Sequence, residues 1–171
     1  MQPIASCPSF ALIESHIGRV AQRMRDVPVQ DIVLVRLIKA LSARFGAHLG
    51  HKVRPAGLNE VAFRTLMMLY ASAGNGVHPS DLSEASGETR TNMTRICDEL
   101  ARKGLLRRRA SVDDRRRVVL ELTRRGEALI ERLLPEVWHG LGHVTAALQP
   151  AQKRQLEMLL KKVLAAFDSE G

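Results

Sequence analysis

Thr89-Arg90-Thr91-Asn92-Met93-Thr94-Arg95-Ile96-Cys97-Asp98-Glu99-Leu100, running on through Lys103 to Gly104, decides how this chain of 171 residues is read. Thr89 is a residue type that caps a helix, and Gly104 is one that ends it. Between them Met93, Ile96, Cys97 and Leu100 recur at the spacing of a helix with one inner face. Just upstream, Pro79 sits where a first helical turn tolerates proline, and Ser80-Asp81-Leu82-Ser83-Glu84-Ala85-Ser86 runs into Gly87. Two short helices joined through a glycine turn predict a helix-turn-helix. Downstream, residues 105–109 and 118–122 are strand-like, with Val118, Leu120 and Leu122 on one face of the second by period two. The polar, turn-rich residues 110–117 between them make this a β-hairpin with a charged tip, a wing.

The flanks read as longer helices. Residues 9–25 carry Phe10, Ile13, Ile17, Val20 and Met24 at spacings of three and four, and Pro28 interrupts that pattern. Residues 30–52 carry Val33, Leu34, Leu37, Ile38, Leu41, Phe45 and Leu49, and Arg54-Pro55-Ala56-Gly57 breaks them. A third helix is expected from the cap Asn59 to about residue 73, with Phe63, Leu66, Met67 and Tyr70, stopping at Gly74-Asn75-Gly76. After the wing, Thr123 opens a helix with Leu129, Ile130, Leu133, Leu134, Val137, Trp138 and Leu141, in which Pro135 should produce a kink or a new start. Pro150 opens the last helix, with Leu156, Leu159, Leu160, Val163, Leu164 and Phe167 on one face. These apolar stripes exceed what the winged domain needs, and a second copy is the simplest cover for them. The expected fold is mainly α: N-terminal dimerisation helices (1–54), a winged helix-turn-helix (55–125) and C-terminal dimerisation helices (126–171). A symmetric dimer would set two recognition helices roughly 34 Å apart, about one turn of DNA.

Composition narrows the partner. The chain has 26 Lys+Arg against 18 Asp+Glu, a formal charge of +8. Residues 90–117 hold ten basic and four acidic side chains, so a net +6 falls on one helix and the wing. Clustered charge of this kind points to a polyanion, double-stranded DNA, more than to a solvated face. A 45% hydrophobic content suits a globular protein, and no apolar run approaches a membrane span. The first residues lack a basic segment followed by an apolar one, so no secretory signal is expected. Cys7 and Cys97 cannot form a disulfide framework, and a reducing cytoplasm is the expected setting.

A helix fits the major groove with its first turns toward the base edges, and those turns hold Thr89, Arg90, Thr91, Asn92, Thr94 and Arg95. Arginine can bond bidentately to guanine, asparagine to adenine, and a threonine methyl can meet the methyl of thymine. Arg90 and Asn92 are therefore the leading specificity candidates, with Thr91, Thr94 and Arg95 mixing base and phosphate contacts. In the wing, Arg115, Arg116 and Arg117 suit the negative potential of a narrow minor groove. Asp114 would repel phosphate, and its expected role is to pair with Arg116 and aim the guanidinium.

With these residues in place, the chain resembles the MarR family of transcriptional regulators over residues 31–167. The resemblance rests on the 89–100 run with Gly104, on Asp113-Asp114-Arg115-Arg116, and on the exit Leu120-Glu121-Leu122-Thr123 with Gly126. The Arg-Thr-Asn-x-Thr-Arg-Ile segment is most similar to the branch that represses multidrug efflux pumps and answers to phenolic or other aromatic compounds. The resemblance implies a homodimer that binds a pseudo-palindrome and is released by a small ligand. It gives Asp114 and Arg116 the family's wing roles, and Thr91, Asn92, Thr94 and Arg95 its recognition-helix roles.

A pocket for an aromatic effector is expected to draw on His48, His51 and Arg54, with Phe63, Met67 and Tyr70, because donors beside aromatic and Met surface suit such a ligand. Cys97 lies on an inner stripe and reads as a structural thiol, while nothing basic adjoins Cys7 to activate it. His139 and His143 are four apart, but beyond Glu136 no third ligand is near, so neither a metal nor a cofactor is assigned. No phosphate-binding glycine loop, nucleophile elbow or acid/base pair stands out, and no catalytic residue is assigned. The resulting expectation is a ligand-responsive, dimeric, DNA-binding repressor that is not an enzyme. The alternative is a general architectural DNA-binding protein without an effector.

Overall fold

Nine local helix and strand signals become elements, and the break at residues 54–57 becomes a 3-10 turn, in a computed structural model that describes residues 7–72, 74–110 and 118–169. In chain order they are α1 (Pro8–Arg23), α2 (Val29–Val53), a 3-10 turn (Arg54–Ala56), α3 (Glu60–Ala71), α4 (Pro79–Ser86), α5 (Arg90–Arg102), β1 (Leu106–Ala110), β2 (Val118–Leu122), α6 (Arg124–Thr145) and α7 (Pro150–Asp168). The protein is mainly α-helical, with a two-stranded sheet in the described residues. Contacts divide it into two units, Met1–Phe63 and Arg64–Gly171.

In the first unit, α1 starts on Pro8 and buries Phe10 and Ile17, seven residues apart on one face. It ends at Arg23, slightly earlier than its apolar pattern suggested, and Val20 and Met24 remain exposed. The 25-residue α2 buries Val53 and leaves Leu34, Val35, Ile38 and Leu41 in solvent. A Cβ at Gly46 would stand 2.9 Å from a Glu60 carboxylate oxygen, so α2 and the start of α3 approach closely there. Asn59 caps α3 as expected, its Oδ1 accepting from the Ala62 N–H at 2.8 Å.

The second unit carries the helix-turn-helix. Pro79 opens α4, and Gly87 ends it at φ +69°, a left-handed conformation suited to glycine. The Ser83 hydroxyl donates to the Glu88 carbonyl at 2.6 Å, tying the turn to α4. Thr89 then caps α5 by accepting from the Asn92 N–H at 3.2 Å. Leu66, Leu82, Met93, Ile96, Leu100, Leu106, Leu120 and Ile130 are all at most 2% exposed and form the core. Among them are Met93, Ile96 and Leu100, the inner stripe of α5 seen in the sequence.

β1 and β2 pair antiparallel with Leu106 opposite Leu122 and Arg108 opposite Leu120. The period-two reading of β2 needs correction. Val118 is exposed, whereas Val119, Leu120 and Glu121 are buried consecutively. The reason is that β2 is covered from both sides. Val77 exchanges two 2.9 Å backbone hydrogen bonds with Leu120. A Cβ at Gly76 would lie 3.1 Å from the Val119 Cβ, and the side chains of Arg107 and Arg109 fold over Glu121.

Thr123 joins the wing to α6. Its hydroxyl donates to the Gly104 carbonyl at 2.7 Å and accepts from the Gly126 N–H at 3.1 Å. The helix continues through Pro135 to Thr145, so Pro135 does not open a new element. Ile130, Leu134 and Val137 are buried on both sides of the proline and hold the helix in register despite its missing N–H. By contrast α7 buries none of its residues. Among the described residues, no helix is long and apolar enough to cross a membrane.

Candidate nucleic-acid interface

The cap on Thr89 sets the direction of α5, and burial of its inner stripe decides what faces out. Thr89, Arg90, Thr91, Thr94 and Arg95 are exposed, and Asn92 is half-buried. Thr89 is engaged as the cap, and the Thr94 hydroxyl donates to the Arg90 carbonyl at 2.9 Å. Among the described residues the Arg90 and Thr91 side chains have no polar partner and are free to meet a ligand. Asn92 is differently placed. Its Nδ2 donates to a Glu88 carboxylate oxygen, and its Oδ1 accepts from Arg95 at 3.0 Å. Arg95 also lies 3.9 Å from Glu99.

The structure distributes the cationic cluster unevenly. Arg108 pairs with Asp98 at 2.6 Å, and Lys103 with Glu99 at 2.6 Å. Arg107 and Arg109 converge on Glu121, at 3.0 and 2.7 Å. Burial would raise the Glu121 carboxyl, but hydrogen bonds from Arg109 and Arg107, and their charges, hold it below the usual carboxylate range. Hydrogen bonding from Lys103 lowers Glu99 in the same direction. Half of the basic residues counted in the sequence thus face carboxylates, and among the described residues of this stretch Arg90 and Arg102 are exposed with no ion-pair partner. Asp114, Arg115, Arg116 and Arg117 lie outside the described residues.

Glu88 and Glu121 were not singled out from the sequence. Glu88 stands four residues before Asn92 across a helix start, and Glu121 meets Arg107 and Arg109 only through strand register. A charge-paired register would have been the signal for the second, once the hairpin was assigned.

The expected effector residues fall in both units. In the first, His48 is half-buried with a buried Nε2 that lacks a hydrogen-bond partner, His51 and Arg54 are exposed, and Phe63 is buried. In the second, Met67 and Tyr70 are half-buried, and the Tyr70 hydroxyl donates to Glu131 at 3.3 Å. The Glu131 charge is the main cause that raises the Tyr70 phenol above its ordinary value. Tyr70 also lines an open pocket of about 440 Å³ with Leu69, Gly74, Leu122 and Glu127.

Cys97 is buried, and burial pushes its thiol up to about 11, which makes it a poor nucleophile at neutral pH. Cys7 is exposed. His139 and His143 are exposed, and the described residues contain no group of three metal-ligating side chains.

A capped recognition helix behind a short first helix, with a two-stranded wing on the same core, defines a winged helix-turn-helix DNA-binding protein. Comparison with known proteins places it more closely. A MarR family profile matches residues 56–117. The transcriptional repressor MprA of Escherichia coli K12 is 36% identical over 160 residues, covering 94% of this chain and 91% of that protein. The chain belongs to the MarR family of transcriptional regulators.

Solved structures agree. A cysteine-to-serine variant of MarR from E. coli, complexed with operator DNA, superposes with a TM-score of 0.72 at 28% identity, covering 81% of this chain and 99% of that one. AbsC, a MarR family regulator from Streptomyces coelicolor, shares the fold with a TM-score of 0.76 at 20% identity over 85% of this chain and 99% of that one. The relatives named at these identities are regulators rather than enzymes.

Proposed function

We propose that this protein is a cytoplasmic, homodimeric repressor that binds a pseudo-palindromic operator in double-stranded DNA and is released by a small aromatic or phenolic ligand. The observation that carries the reading is the first two turns of α5. They present Arg90, Thr91, Thr94 and Arg95 outward while Met93 and Ile96 anchor the opposite face in the core. The repressor MprA and the operator-bound MarR variant support the same reading.

The exposed stripe of α7 supports a dimer. On this reading residues 1–54 and 126–171 serve dimerisation, and residues 55–125 form the winged domain. Two copies would place their recognition helices in successive major grooves, roughly 34 Å apart. Arg115, Arg116 and Arg117 would follow the minor groove, with Asp114 aiming Arg116. Phosphate contacts would supply affinity and salt dependence, and α5 would supply sequence preference.

For the effector, the unpartnered His48 Nε2 and the half-buried Met67 and Tyr70 offer polar and apolar handles, with His51, Arg54 and Phe63 as further candidates. The carboxylate beside Tyr70 favours a phenol over an aromatic acid at that residue. A ligand that prefers a dimer geometry mismatched to successive grooves would lower operator affinity through a coupling of about 1–3 kcal/mol.

An electrophoretic shift on the region upstream of the protein's own gene tests the reading. Salt-sensitive binding that random-sequence competitor does not displace is expected. Equal displacement by random DNA would favour the architectural alternative. A thermal-shift series with phenols and aromatic acids, followed by release from the shifted complex, tests the effector.

A further inference from the structure

We infer that Glu88 is a positioning residue for sequence readout: it holds Asn92, and through Asn92 the Arg95 guanidinium, in one orientation on the DNA-facing side of α5. The inference rests on the DNA-binding reading above and deepens it.

The chain of contacts begins in the first helix of the motif. Ser83, buried in α4, donates through its hydroxyl to the Glu88 carbonyl at 2.6 Å. The Glu88 N–H donates to the Ser83 carbonyl at 3.1 Å and approaches the Ser86 hydroxyl at 3.4 Å. Glu88 is therefore fixed by its backbone before its side chain acts. From that point its carboxylate accepts from Asn92 Nδ2, and Asn92 Oδ1 accepts from Arg95 Nη2 at 3.0 Å.

The chemistry of these groups permits one arrangement. A carboxylate only accepts and a guanidinium only donates, so the asparagine amide must turn its nitrogen to Glu88 and its oxygen to Arg95. A flipped amide would face oxygen with oxygen and nitrogen with nitrogen. The orientation of Asn92 thus follows from its two neighbours. Arg95 is the residue that needs such help, because its side chain is 64% exposed and its contact with Glu99 is long at 3.9 Å. Unheld, a long exposed side chain samples many rotamers, and a base contact would have to order it first.

The carboxylate also carries a cost that a purely structural hydrogen bond would avoid. It places a negative charge beside a helix start that is to meet phosphate, where repulsion lowers affinity for every sequence alike. Glu88 therefore exchanges general affinity for a fixed reading geometry. Arg90 and Thr91, which lack polar partners among the described residues, lie outside this relay. They form a second, independent part of the readout.

The test uses duplexes that the full-length wild-type protein selects from a random-sequence pool, together with single-base variants of them. Affinities are measured for wild type, Glu88→Ala, Glu88→Gln, Asn92→Ala and the Glu88→Ala/Asn92→Ala double variant. Glutamine keeps an acceptor for Asn92 without the charge. It should preserve discrimination at every base pair and bind all duplexes more tightly. Glu88→Ala should lose about tenfold discrimination at one or two base pairs while gaining affinity for random DNA. The double variant should discriminate no worse than Asn92→Ala alone, because both changes interrupt one relay.

Additive losses in the double variant would overturn the proposal, as would unchanged discrimination in Glu88→Ala. So would a uniform loss across all duplexes, which marks a merely structural contact. If the wild type selects no consensus, the sequence-specific reading itself fails, an outcome distinct from failure of the relay.

Discussion

Helices α5 and α7 carry the same local pattern, an apolar stripe at three- and four-residue spacing, and meet opposite fates. On α5 the stripe of Met93, Ile96, Cys97 and Leu100 is at most 2% exposed. On α7 the stripe of Leu156, Leu159, Leu160, Val163, Leu164 and Phe167 is 43% to 70% exposed. Periodicity states that a helix has a face to bury, and it is silent on where the cover comes from. For α5 the cover is the chain's own core. For α7 no residue of the described chain buries it, although most helical stability in proteins comes from packing an apolar face. The proposed second copy accounts for that difference.

The sharpest way to probe the comparison is to remove apolar volume from the winged side. Leu66→Ala empties a fully buried site and should lower stability by about 4 kcal/mol in chemical denaturation. A loss below about 1 kcal/mol would mean that this core is not packed as described.

Next in size is Gly126→Ala. The new Cβ would stand 2.1 Å from the Leu105 carbonyl oxygen and 2.9 Å from a Leu122 methyl, so backbone must move. We expect a loss of about 3 kcal/mol by the same measurement, since the clash falls where α6 leaves the wing. A neutral result would show that this junction yields freely.

On α7, Leu160→Asp should change the stability of the isolated protomer by less than about 0.5 kcal/mol, because its site is solvent in a single chain. Sedimentation should nevertheless show the variant dissociating at concentrations where the wild type is dimeric. If both sediment alike, α7 is not the dimer face.

The smallest effect concerns the wing root. The folded Glu121 carboxyl lies below its ordinary value of 4.5, so it adds stability above that pH and loses it as pH falls through the lower folded value. The thermal midpoint of wild type should therefore fall more steeply below about pH 4.5 than that of Glu121→Gln. Parallel curves would remove Glu121 from the wing's stability.

How much was legible depended on the range of the interaction. Pro79, Gly87, Thr89, Gly104 and Thr123 act on backbone within a few residues, and each marks the boundary it was expected to mark. The period-two reading of β2 placed Val118 inward and passed over Val119 and Glu121, because the neighbours of those two, Gly76 and the pair Arg107 and Arg109, are remote in sequence. The same distance hid the charge pairing. A window of residues 90–117 counts Arg107 and Arg109 as free cations, while the carboxylate that holds them lies at position 121. Asn92 looked like a free base reader because its tie to Glu88 crosses the start of the helix.

The sequence by itself determined the helix-turn-helix, the hairpin, the concentration of positive charge on them and the family resemblance. Capping, glycine stops and periodicity are local properties, and they survive without knowledge of the partner. The tertiary structure decided which of those charges face outward, which side of β2 is covered and which apolar stripes find their cover within the chain. Burial and ion pairing depend on segments far apart in sequence being brought within a few ångströms, and only the folded chain brings them there.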